Sequence, residues 1–119
     1  MGIQKISHEG QTIFYLDFSN LKLEEDILKQ VHECAQNIRC QPHNSLITLT
    51  NVSGMQYNKS VMDSFSNFIS GNKPYVKAGA VFGLTGLSHY VYNGLMKVTG
   101  RDVRSFKTEI EAKDYLIGK

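Results

Sequence analysis

Two short apolar runs, Leu46-Ile47-Thr48-Leu49-Thr50 and Val76 to Phe82, each give way within a few residues to a stretch with apolar side chains at helical spacing. This alternation constrains the chain more than any other feature. A strand, a helix and another strand read in that order require a crossover, and crossovers build parallel sheets covered by helices. At 119 residues the chain suits one domain with a core of its own, read here as spanning residues 1–119.

Ahead of the alternating part, the first residues read as a β-hairpin. Ile3 to Ser7 leads into His8-Glu9-Gly10-Gln11, a turn with glycine available for positive φ. Thr12 to Phe18 follows, β-branched and aromatic. Phe14, Leu16 and Phe18 share one face, while Ile13 and Tyr15 on the other predict a strand buried on both sides. Helix one is expected over 24–39, with Ile27, Leu28, Val31, Ala35 and Ile38 inward. Helix two is expected over 59–69, with Val61, Met62, Phe65, Phe68 and Ile69 inward and Gly71 at the position just past its end.

Gly83-Leu84-Thr85-Gly86 turns the chain into helix three, whose Leu87, Val91, Leu95 and Val98 form a stripe ended by Gly100. A short strand over 103–106 and a capping box, Thr108 with Glu111, introduce the last helix with Ala112, Tyr115 and Leu116 inward. The predicted architecture is ββαβαβαβα, α/β, with a mostly parallel sheet of about five strands packed with four helices.

Several phrases of this chain resemble the STAS-type domain of the anti-sigma factor antagonists, most nearly their antagonist-like branch. They are Ile13–Phe18 with Asp17, Ser45–Tyr57, the run Lys77-Ala78-Gly79-Ala80-Val81-Phe82-Gly83, Gly100 to Phe106, and the closing Thr108, Glu111, Ala112, Tyr115 and Leu116. The resemblance implies a STAS-like fold and a domain that works by binding. Regulatory members of that family carry an Asp-Ser-Ser/Thr-Gly phrase before the second helix, where phosphorylation switches partner binding. The matching stretch here is Met55-Gln56-Tyr57-Asn58-Lys59-Ser60. The switch motif is absent, and Ser60 at the helix start is its nearest substitute.

No assembled catalytic set is visible. Cys34 and His32 lie two residues apart on a helix, where side chains diverge. Cys34 reads as a core residue, and Cys40 as an exposed free thiol. His8, His32, His43 and His89 are scattered without metal-ligand spacing, so neither a metal nor a cofactor is expected. Residues 73–107 hold six cations against the single acid Asp102, but the net charge is only +2. The tyrosines among these cations fall on separate elements, so nucleic acid is not the expected partner.

The sequence therefore predicts a non-enzymatic regulatory or interaction module. Its partner, a protein or a second copy, would meet the strand-to-helix loops and helix three. The candidate residues are Ser53, Gly54, Tyr57, Asn58 and Ser60 in the first loop, and Gly83, Thr85, Gly86, Ser88 and His89 in the second. Tyr92 and Met96, an i, i+4 pair on helix three, form a second apolar stripe. The alternative is a carrier binding a small anionic or lipid-like molecule between helices two and three, at the carboxyl ends of the strands. No apolar run approaches the ~20 residues of a membrane helix. The N-terminus lacks a signal-like apolar stretch, and a cytoplasmic protein is expected.

Overall fold

The computed structural model describes residues 3–100 and 103–119, with the side chains of 87–91 and 98 left aside. Five strands and four helices follow in the order β1 (Ile3–His8), β2 (Gln11–Asp17), α1 (Glu24–Arg39), β3 (Leu46–Asn51), α2 (Lys59–Asn72), β4 (Val76–Phe82), α3 (Gly86–Thr99), β5 (Arg104–Phe106) and α4 (Glu109–Leu116). The α/β architecture and the mostly parallel five-stranded sheet agree with the sequence reading.

The strands lie side by side in chain order, β1-β2-β3-β4-β5. β1 is antiparallel to β2, and the other three pairings are parallel. A sheet that grows in one direction by right-handed crossovers places every crossover helix on the same face. The larger core cluster lies on that face: Phe14, Leu16 and Phe18 from β2 and its end, Ile27, Val31, Cys34 and Ile38 from α1, and Val61, Phe65 and Phe68 from α2. Leu95 of α3 packs against its margin.

Among the described residues, α4 is the helix that covers the opposite face. Ala112 and Leu116 pack on Ile13, Ile47, Leu49, Ala80 and Phe82 there. β2 is therefore buried on both sides, as its unbroken apolar run predicts; Ile13 is fully buried and faces away from Phe14. Among the described residues, no helix is long and apolar enough to cross a membrane.

The helix ends follow their local chemistry. Asn58 caps α2 by accepting from the Val61 N–H at 3.0 Å, and Thr108 caps α4 by accepting from the Glu111 N–H at 3.3 Å. The sequence reading of Gly71 requires correction: it lies inside α2, which continues to Asn72. A Cβ on Gly71 would come 2.6 Å from Cζ of Arg39, so its bare backbone accommodates the guanidinium. Arg39 donates to Asn72 Oδ1 at 3.2 Å and to the Phe68 carbonyl at 3.4 Å. A cation bonded to the last turn satisfies its carbonyls and complements the helix dipole, which carries the helix past the glycine.

Candidate functional site

The carboxyl ends of β2, β3 and β4 open into three loops that are bonded to one another. Asn20 N–H donates to the Ser53 carbonyl at 2.8 Å, and Gln56 N–H donates to the Leu21 carbonyl at 2.9 Å. Val52 N–H donates to the Phe82 carbonyl at 3.1 Å. Lys22 Nζ donates to the Gly54 carbonyl, and Asn58 Nδ2 donates to Glu24 Oε1 at 2.8 Å. The two loops singled out from sequence thus share one edge.

Gly83 is where they touch. Its φ is +98°, and a Cβ there would lie 2.6 Å from the Ser53 nitrogen and 2.8 Å from its Cα. Any side chain would be strained by the backbone and blocked by the neighbouring loop. Ser53 is consequently wedged, with its N–H donating to Asn51 Oδ1 at 3.0 Å. Gly54 has φ +68° and sits under the Asn20 side chain. These two glycines shape the loops. Gly86, at φ +39°, starts α3 with open space where its Cβ would be.

Beneath these loops, between α2 and α3, lies a half-open pocket of about 80 Å³. Thr50 and Val81, paired across β3 and β4, lie on its sheet side. Met62, Phe65 and Ile69 of α2 line one side, and Tyr92 and Leu95 of α3 another. Met55 and Tyr57 come from the first loop and Leu84 from the second. Next to the pair of Thr50 and Val81, Thr48 and Gly79 pair across the same two strands, with Thr48 Oγ1 3.0 Å from where a Gly79 Cβ would lie. Among the described residues, none of those lining it is an acid, a lysine, an arginine or a histidine. A charged group finds no partner in these described walls, which suit an uncharged part of a ligand.

The second stripe expected on helix three does not form a free surface. Tyr92 is 9% exposed, and its hydroxyl donates to the Val103 carbonyl at 2.6 Å. Met96 is half-buried, and its sulfur accepts from the Val103 N–H at 3.4 Å. Both residues hold the approach to β5 against α3, because both polar groups of Val103 need partners. Tyr57 is half-buried at the pocket, while Asn58 and Ser60 are exposed at the start of α2. Asn58 is occupied as a cap. Thr85 is exposed and already has an interaction partner. The side chains of Ser88 and His89 lie outside the described residues.

Cys34 is buried in the α1–α2 core, and Cys40 is exposed; both are free thiols. Burial, with a smaller contribution from the Glu33 carboxylate, pushes the Cys34 thiol up to about 12. It is therefore not a nucleophile at neutral pH. Burial also raises Tyr15, against the opposing hydrogen bond from Asn51. The described cations of the basic stretch, Lys73, Lys77, Lys97, Arg104 and Lys107, are all exposed. Tyr75 instead packs edge-on against His43.

The fold also brings together three groups that sequence spacing could not join. His8, Glu9 and Asp114 meet where the hairpin turn touches the end of α4. The chain matches no protein-family model, no curated protein and no solved structure.

Proposed function

We propose that this protein is a non-enzymatic binding module of STAS-like architecture, and that its site is the apolar pocket between α2 and α3. The ligand is an amphipathic molecule that inserts an uncharged aliphatic or small aromatic group and leaves its polar part at the loops. The observation that carries this reading is a half-open pocket of about 80 Å³ whose described lining holds no charged side chain. That volume exceeds the ~10–15 Å³ one water needs and is about half of a cavity known to take benzene. Met55 and Met62 give the lining adaptable side chains that can widen around a guest. The resemblance to STAS-type domains supports a fold that works by binding. The pocket walls favour the lipid-like ligand over the anionic one for the buried part.

The test is a titration of the purified protein with aliphatic alcohols and fatty acids of increasing chain length, followed by calorimetry and thermal shift. Saturable binding that strengthens with chain length is expected, at about 0.8 kcal/mol per buried methylene until the pocket is full. Thr50→Leu, which fills the pocket from the sheet side, should abolish binding while the fold persists by circular dichroism. Binding unchanged in that variant, or none in the wild type, overturns the reading.

A protein partner on the same edge is the second reading, favoured by Leu23. This residue is 58% exposed and stands between Lys22 and Glu24, both of which bond to the 51–58 loop. Leu23→Asp should then abolish association and leave lipid binding intact. Tyr92→Glu is not a suitable probe of an interface, since it would bury a charge in place of the bond to Val103.

A further inference from the structure

We propose that His8, Glu9 and Asp114 form a zinc site that ties the hairpin to the last helix. It stands apart from the pocket and does not depend on it. Nε2 of His8 lies 3.2 Å from Asp114 Oδ1 and 3.7 Å from Glu9 Oε2, and the three ligand atoms all fall within 4.8 Å of one another. A single imidazole nitrogen carries at most one proton, so it can donate to only one of the two carboxylates. A cation at their centre satisfies all three.

The distances select its kind. Zinc bonds of about 2.0–2.2 Å to nitrogen and oxygen place tetrahedral neighbours about 3.3–3.6 Å apart. The two separations from the imidazole are already close to that. Glu9 is the ligand that must adjust, and its side chain is 66% exposed on the turn, free to change rotamer. An imidazole with two carboxylates suits zinc or a neighbouring transition metal; magnesium and calcium favour all-oxygen sets. With both carboxylates exposed, water takes the fourth position.

The two elements that carry the ligands are held in place by other contacts. Gly118 N–H donates to Gln11 Oε1 at 2.6 Å, and Gln11 pairs with His8 across the hairpin. Leu116 packs with Ile13 in the same cluster. The backbones that carry the ligands are therefore already in place, only the Glu9 side chain has to turn, and a metal that joins residues 106 positions apart stabilises the folded chain by linkage.

The experiment is calorimetric titration of chelator-treated full-length protein with Zn²⁺, with Co²⁺ as a spectroscopic substitute. One equivalent per chain is expected to bind, with a rise in Tm. The Co²⁺ visible spectrum should be tetrahedral, without the intense near-ultraviolet band that a Cys40 thiolate would add. His8→Gln and the exposed Asp114→Asn should each weaken binding by at least about tenfold, with Cys40→Ser unchanged. No zinc binding overturns the proposal. So does affinity that survives both His8→Gln and Asp114→Asn, or affinity lost in Cys40→Ser.

Discussion

The two helix seams on the main face of the sheet are built differently. Between α1 and α2, large side chains close the space. Phe18 is fully buried, with the Phe65 ring centroid 5.1 Å away and Phe68 at 6.4 Å, both edge-on. Between α2 and α3, β3 and β4 offer Thr50 and Val81 to the pocket, and no aromatic ring of those two strands lines it. The described side chains therefore close the first seam and leave room for a guest at the second. Ligand pockets in general are local voids beside a close-packed interior.

The sharpest way to break this comparison is to truncate one side chain at each seam. Phe18→Ala should destabilise the protein by about 3–5 kcal/mol, because it empties a packed site that cannot collapse. Leu95→Ala should cost about 1–2 kcal/mol, since that side chain is half-buried and already borders a void. Urea unfolding of the two variants measures the difference. Equal losses would mean that α3 is as tightly held as α1 and α2, and the distinction between the seams would fail.

Tyr92→Phe sharpens the comparison at the second seam. It keeps the ring and removes only the hydroxyl that donates to the Val103 carbonyl. The expected cost is about 1 kcal/mol, the worth of one hydrogen bond plus the carbonyl left without its donor. Amide exchange should quicken around 92–103 and stay unchanged in α1. A uniform change would place α3 in the same cooperative unit as the rest.

The fold was legible where physics is local. Alternating apolar runs and helical stripes located the strands and helices, and Asn58 and Thr108 were readable as caps because a cap bonds within three residues. Gly71 was misread because its role depends on Arg39, from another helix. Tyr92 looked like surplus apolar surface because its partner, the Val103 carbonyl, is a backbone group that no sequence pattern marks. The sequence marks the carboxyl edge between helices two and three only as a place where a small ligand could sit. The pocket's sheet side is set by the register that places Thr50 beside Val81, a pairing that no local pattern marks. The grouping of His8, Glu9 and Asp114 had no signal at all, because topology joins them across nearly the whole chain.

Cys34 probes the packed seam from within. Its thiol is raised to about 12, well above the ordinary range of a free thiol, chiefly by burial. The folded state therefore holds the proton more tightly than the unfolded state. The corresponding stability is fully present below about pH 9 and is lost as pH rises from there through the folded value near 12. Replacing the thiol in Cys34→Val should leave stability near neutral pH within about 1.5 kcal/mol of wild type, as similar-sized apolar exchanges do. Above pH 9 the variant should lose less stability with each further step of pH than the wild type. A thiol-labelling count separates the two cysteines independently: Cys40 should react at once in the folded protein, and Cys34 only on unfolding. If Cys34 labels as fast as Cys40, the α1–α2 seam opens readily, and the contrast between the two seams loses its physical basis.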